Sequence, residues 1–312
     1  MRLVAAAALL SLAATAASAT PANYLYASAG ALDGLGTLLA RSDIDGVQVV
    51  YNWKALEPRK DVYDFSAIES DLAATAALGK KLFIQIQDRF FSPDARNVPA
   101  YLLSDPEYDG GLVAQVDNAG EGKTGYGWAA MEWNAAVRDR YQMLLSALGA
   151  RFDGRVFGIN LPETSIDIDM KRAAGFSCDG YFAAEMENLA VAAKAFPRSH
   201  VVQYVNFWPC EWDNDHRYME RLFAYAAASG VGLGGPDVIP NRKAQMKNAY
   251  PFFHQYKGKL SLVAMAVQEP TLTYTNPATG KRFTRDEFVR FADDYLGADI
   301  IFWSAASPWL QP

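Results

Sequence analysis

The chain has 312 residues, a net charge of −6 and a composition that is 51% hydrophobic. The acidic balance argues against a nucleic-acid partner, because phosphate binding needs a basic face; the apolar share supplies a large core. Aromatic residues make up 13%, with seven Trp and sixteen Tyr, a content that suits an ordinary core or a surface that stacks on sugar rings.

Residues 1–19 have the pattern of a secretory signal peptide. Arg2 stands behind the start, an apolar run extends from Leu3 to Ala14, and small residues Ala17-Ser18-Ala19 close it. The run is too short to span a bilayer comfortably, and no later run is longer. The mature chain, 20–312, is therefore expected in the periplasm or the medium, without a membrane segment.

Apolar runs then alternate with helical patterns. Asn23 to Ser28 is a candidate first strand and Ala31 to Arg41 a short helix. Gly46 to Trp53 is a β-branched and aromatic second strand. Ser66 to Leu78 predicts a helix with a capping box, Ser66 with Glu69, closed by Gly79. Lys81 to Asp88 is the third strand. Leu82, Ile84 and Ile86 share one face; Phe83, Gln85 and Gln87 share the other. Glutamines facing inward near a strand's end suit a barrel with a polar mouth. An insertion rich in Gly, Asp, Pro and Asn occupies 89–128 and is expected to overhang that mouth.

Ala129 to Arg151 reads as a long helix and Arg155 to Leu161 as the fourth strand. Tyr181 to Ala195 is a helix, Val201 to Phe207 the fifth strand, and Asp215 to Ala228 a helix. Val231 to Gly234 is a weak sixth strand and Asn241 to Tyr256 the next helix. Leu260 to Val267 is the seventh strand. Thr284 to Leu296 is a helix with a second capping box, Thr284 with Glu287, and Asp299 to Trp303 is the eighth strand. Regular alternation of eight strands with helices implies a parallel sheet closed as a single-domain (β/α)8 TIM barrel.

Active groups in such a barrel lie where the strands end. Those positions hold Trp53, Gln87, Asp88, Asn160, Glu163, Asn206, Trp208, Asp237, Gln268, Glu269 and Trp303. Two glutamates stand out because each follows a mostly apolar run: Glu163, in VFGINLPETS, and Glu269, in AMAVQEP. Burying a carboxylate without partners is costly. Two of them across one mouth could flank one bond of a substrate, as glycoside hydrolysis requires. Either alone could instead cap a helix or pair with an Arg.

The two glutamates resemble those of the clan A glycoside hydrolases, retaining (β/α)8 enzymes whose acid/base Glu ends the fourth strand and whose nucleophile Glu ends the seventh. VQVVYNWKALEPRKDVYDFSAIESDL, residues 47–72, resembles the clan's "W..LEP..G.YDF" phrase, with Asp61 where Gly is usual. Phe302-Trp303 resembles its aromatic floor. The resemblance implies cleavage of a β-glycosidic linkage by a retaining mechanism, with Glu163 as acid/base and Glu269 as nucleophile. It also implies a carbohydrate substrate, an oligosaccharide or polysaccharide, and no cofactor. The clan's Asn before the acid/base is replaced here by Pro162. Asn160 or Asn206 would take over its contact with the sugar's 2-hydroxyl, or the substrate differs there.

Gln87, Asp88 and Gln268 are candidate polar contacts. Trp53, Trp208 and Trp303 are candidate sugar platforms, with core packing as the alternative. Cys178 and Cys210 fall in neighbouring loops; an exported chain allows a disulfide there, and two free thiols are the alternative. His200, His216 and His254 form no metal motif, so no metal is expected. GVGLGGPD, 230–237, matches no phosphate loop, and no G-x-S-x-G elbow is present. A monomer is expected. The rival reading is a carbohydrate-binding barrel without catalysis, which Pro162 keeps in play; a glycan-building transferase is more remote.

Overall fold

The computed structural model describes residues 20–118 and 123–311, so the signal-peptide segment 1–19 lies outside the described residues. Eleven strands follow in chain order: β1 Ala22–Ser28, β2 Gly46–Asn52, β3 Lys81–Gln87, β4 Arg89–Phe90, β5 Leu112–Asn118, β6 Lys123–Ala130, β7 Gly158–Leu161, β8 His200–Tyr204, β9 Gly232–Gly235, β10 Val263–Val267 and β11 Ile300–Ser304. Eight of them close into a barrel in the order β1-β11-β10-β9-β8-β7-β3-β2. Every barrel pairing is parallel.

Period-two alternation divides each barrel strand between two cores. The inward row includes Tyr24, Phe83, Val202, Tyr204, Ala264, Ala266 and Phe302. The outward row, with Leu25, Val47, Ile84, Met265, Val267 and Trp303, meets the helices. Large inward rings require small partners. A Cβ on Gly46 would fall 2.5 Å from the Tyr24 ring, and one on Gly158 would fall 2.6 Å from the Phe83 ring. The ring of Phe83 stands edge-on to that of Phe302, with centroids 5.4 Å apart. The barrel's lower interior is thus plugged, and access is from the strand ends.

Several helix boundaries differ from the sequence expectation, each for a local reason. The helix expected from Ala129 begins at Ala135, because β6 runs to Ala130 and Asn134 caps the helix through Ala136 and Val137 N–H. The helix expected over Asp215 to Ala228 spans Tyr218–Ser229; the Glu211 carboxylate accepts from Tyr218 N–H and Met219 N–H at its start. The helix expected over Asn241 to Tyr256 divides into Lys243–Asn248 and Tyr250–Gln255, with Pro251 in the first turn of the second piece. The capping box at Thr284 forms. The one at Ser66 does not: Asp64 accepts from Ser66 N–H, and Glu69 is held instead by Arg151 and Arg155.

The "W..LEP" phrase is a brace. Trp53 Nε1 donates to Glu57 at 2.9 Å, and the buried Glu57 also receives Arg140. Asp61 adopts φ 63°, a left-handed conformation that favours glycine, and its carboxylate is held by Arg140 at 2.8 Å.

The insertion forms an antiparallel sheet in the order β4-β6-β5. Arg96 stacks on Trp128 at 3.5 Å from the ring centre, and Trp128 Nε1 donates to Pro93 O. Cys178 and Cys210 form a disulfide with Cα atoms 6.1 Å apart, closing a loop of 32 residues. It ties the helix Cys178–Ala195 to the loop after β8. In the chain-entropy model this bridge contributes about 3–4 kcal/mol. Reduction, or the Cys178→Ser/Cys210→Ser double variant, is expected to lower the unfolding free energy by that amount, read as a lower urea midpoint.

Candidate active site

A cleft of about 710 Å³ opens at the C-terminal ends of the barrel strands. The inward row of β3 supplies part of its floor. Gln85 Nε2 donates to Gln87 Oε1 at 3.3 Å, and Gln87 Nε2 donates to Arg89 O at 2.6 Å. Gln85 lines the cleft, and its buried Oε1 has no partner among the described residues.

Glu163 reaches the same floor because of the turn after β7. Pro162 has no N–H with which to continue the ladder, and Gln203 Nε2 donates to its carbonyl at 2.5 Å. Thr164 N–H then bonds Tyr204 O at 3.1 Å, and Thr164 Oγ1 bonds Phe207 O at 2.9 Å. These contacts fold the chain toward β8 and present Glu163 to the cleft. Asn206 Nδ2 donates to Glu163 Oε2 at 2.9 Å, while Gln245 Nε2 donates to Asn206 Oδ1 at 2.5 Å. Burial pushes the Glu163 carboxyl above its ordinary value. Hydrogen bonds from Ser165 and Asn206 and the charge of Arg89 oppose that rise, and Asp237 adds to it.

Asp237 lines this cleft just past β9. Its Oδ1 accepts from Thr271 Oγ1 at 2.7 Å. Burial raises its pKa, against the opposing effects of Thr271 and Arg242. Tyr26, on the inward row of β1, has its hydroxyl pushed up to about 12 by burial, then by Asp237, Glu163 and Glu269 in falling order.

Large apolar side chains form the walls. Phe91 and Tyr126 come from the insertion, 54% and 43% exposed, with ring centroids 5.7 Å apart. Trp212, from the loop after β8, is 53% exposed, and Tyr274 comes from the loop after β10. Burial arguments give no reason to leave such rings in water; flat apolar faces around a polar floor fit pyranose rings.

Of the residues expected at the mouth, Gln87, Glu163, Asn206, Asp237 and Gln268 line this cleft. Trp53, Trp208 and Trp303 do not; all three are fully buried. Trp303 continues the outward row and packs against Trp309 at 5.1 Å, Trp53 packs on Tyr141, and Trp208 lies among Tyr181, Phe182 and Tyr218. They are core residues and not sugar platforms. Asn160 is also buried, its Nδ2 turned to Leu161 O, so Asn206 and not Asn160 reaches the cleft.

Asp88 is corrected in the same way. It lies one residue past the inward Gln87 and is fully buried behind the cleft wall. There Arg89 Nη1 donates to Asp88 at 2.9 Å, and Arg89 Nη2 donates to Glu185 at 2.7 Å and to the Tyr181 hydroxyl at 2.6 Å. Glu132 completes this buried group; burial, then Asp88 and Glu185, push its pKa well up.

Glu269 is exposed and lines a neighbouring depression with Ser28, Leu35 and Ser304. Gln268 continues the inward row of Ala264 and Ala266, and the turn Pro270–Thr273 starts directly after Glu269. The two depressions share Tyr26, Gln268 and Pro270. Glu163 and Glu269 both act on the Tyr26 hydroxyl, where the two depressions meet.

The sequence reading missed Phe91, Tyr126, Trp212 and Tyr274. For Trp212 a signal existed: it stands in the charged run Glu211 to Asp215, without the apolar neighbours a buried Trp has in sequence. Among the described residues, no three His, Cys, Asp or Glu side chains converge to hold a metal, and no helix is long and apolar enough to cross a membrane.

No family model and no curated protein sequence matches this chain. Solved structures do. The catalytic domain of β-amylase from Paenibacillus polymyxa aligns with TM-score 0.56 at 10% identity, over 91% of this chain and 93% of that one. A variant of xylanase A from P fluorescens subsp. cellulosa, in complex with xylopentaose, aligns with TM-score 0.55 at 12% identity, over 93% and 88%. A psychrophilic family 10 endo-β-1,4-xylanase aligns with TM-score 0.51 at 10% identity, over 92% and 87%. At such identities the likeness is one of fold: the chain shares its closed (β/α)8 barrel with these enzymes.

Proposed function

We propose that this protein is an exported glycoside hydrolase that cleaves a β-glycosidic linkage, with Glu163 as its proton donor. The observation that carries the reading is Glu163 itself. Its carboxyl sits on the floor of an aromatic-walled cleft at the strand ends, raised in pKa by burial and oriented by Asn206. A general acid must hold its proton at working pH and face the leaving oxygen. A retaining course also needs a carboxylate to attack the anomeric carbon. Glu269 is the candidate that the resemblance supplies, and it stands at the rim. The disulfide agrees with an oxidising compartment, the periplasm or the medium. The substrate is an oligosaccharide or polysaccharide, with the rings of Phe91, Tyr126, Trp212 and Tyr274 as its platforms.

The test is a panel of aryl β-glycosides and of plant and bacterial polysaccharides, scored by release of phenol or of reducing ends. Among the walls, Trp212→Ala should raise KM about tenfold, roughly the loss of one stacking contact, and leave kcat within a few fold. Trp208→Ala should leave KM unchanged and lower the melting temperature, since it empties a core site. Pro162, in place of the Asn that precedes the acid/base in the enzymes the chain resembles, favours one alternative, a carbohydrate-binding barrel without turnover. Such a protein would bind oligosaccharide in the same cleft and release nothing.

A further inference from the structure

We propose that Gln245 is a positioning residue for the reaction: it holds the Asn206 amide with its N–H end toward Glu163, and so fixes which oxygen of that carboxyl carries the proton. This rests on the glycosidase reading of Glu163. All three side chains line the cleft. Gln245 Nε2 donates to Asn206 Oδ1 at 2.5 Å, and Asn206 Nδ2 donates to Glu163 Oε2 at 2.9 Å. An amide offers an acceptor at one end and donors at the other. With Oδ1 taken by Gln245, only the N–H end is left for Glu163. Oε2 is then the accepting oxygen, and the proton of the neutral acid belongs on Oε1. Gln245 is buried, on the short helix Lys243–Asn248. The backbone of Asn206 is fixed separately, its N–H donating to Thr164 Oγ1 at 3.2 Å. Turning the Asn206 amide over would require Gln245 to turn with it.

The reversed arrangement would work against the chemistry. With its carbonyl toward Glu163, Asn206 would accept the acid's proton at Oε2 and favour the neutral form. That hydrogen bond would have to break before the proton could pass to the leaving oxygen. In the observed arrangement the N–H instead favours the carboxylate that remains once the proton has gone. Glu163 follows β7, Asn206 follows β8 and the helix of Gln245 follows β9. The row therefore ties the proton donor to two neighbouring strand-end loops. Ser165, Arg89 and Asp237 also act on Glu163, and the Tyr26 hydroxyl feels its charge. Substitution at position 245 leaves all four in place.

The experiment uses the full mature chain, a series of aryl β-glycosides, and isotope-edited NMR of labelled glutamate carboxyls. Gln245→Met removes the donor at similar volume. On a poor leaving group it should lower kcat about tenfold, the worth of one hydrogen bond to a charged group, with KM within about twofold. The loss should shrink as the leaving phenol becomes more acidic, and the basic limb of the pH profile should move upward. Gln245→Glu keeps the shape but, once ionised, only accepts. The Asn206 N–H must then turn to it, so its loss should exceed that of Gln245→Met and recover as falling pH makes the new carboxyl a donor again. The carboxyl signal that disappears in Glu163→Gln should titrate higher in both variants than in the wild type. A defect of equal size on every leaving group, carried in KM, would make Gln245 a sugar contact and overturn the proposal. A Glu163 titration unmoved in both variants would overturn it as well. Full activity in Glu163→Gln, or no turnover by the wild type, would instead remove the glycosidase reading, and the Glu163 titration would still decide the role of Gln245.

Discussion

Glu163→Gln is expected to lower kcat/KM on unactivated glycosides by about 10³-fold, the span that general acid–base catalysis supplies. Gln still meets Asn206 and Ser165, so the cleft keeps its shape and only the proton is lost. The defect should therefore shrink on substrates whose leaving phenol needs no protonation. The wild type should lose activity as pH rises through the raised value of Glu163, and this basic limb should be missing from the variant. Stability should move the other way. With a raised carboxyl, the folded state holds more protons than the unfolded chain between the ordinary glutamate value and the raised one, so stability falls as pH rises through that window. Glu163→Gln removes the cost of the buried charge. It should melt no lower than the wild type at neutral pH, with any gain vanishing at pH values below the ordinary glutamate range. A variant that is inactive because it is unfolded would show the opposite.

Arg89→Met should be the most damaging change to the fold. Arg89 is 1% exposed and is shared by Asp88, Glu185 and the Tyr181 hydroxyl, with Glu132 alongside. Removing one partner from a buried ionic group costs about 3–5 kcal/mol, because the remaining charges stay desolvated without compensation. Thermal and urea unfolding should both register a loss of that size. Adding Glu185→Gln should recover part of it, since one uncompensated carboxylate then disappears. The change also reaches the chemistry. The charge of Arg89 opposes the rise of Glu163, so in whatever fraction stays folded the basic limb of the pH profile should shift upward. Arg89 thus joins the wall of the barrel to the proton inventory of the cleft.

The barrel was legible because its strands are short apolar runs separated by helical patterns, and a chain of this length has few other ways to bury eight of them. Helix ends were less so: they depended on where β6 stopped and on Pro251, features that local periodicity does not weigh. At the site, reading β3 as two rows correctly turned Gln85 and Gln87 inward. The same alternation applied to β11 puts Phe302 inside and Trp303 outside, and applied past β3 it puts Asp88 outside. Choosing residues by strand end alone overlooked this. Glu163 escapes the alternation because Pro162 breaks the ladder and Thr164 is caught by β8; that tertiary contact has no trace in the local sequence. Asp237 was visible as a strand-end acid, but the hydroxyl that fixes it comes from Thr271 on a neighbouring loop.

The most direct measurement is reducing-end release from oligosaccharides by the purified mature protein, alongside calorimetric binding of the same sugars to wild type and Glu163→Gln. The account predicts release by the wild type, almost none by the variant, and comparable affinity in both. Tight binding with no release by the wild type would contradict it and leave a barrel that holds glycans without cutting them.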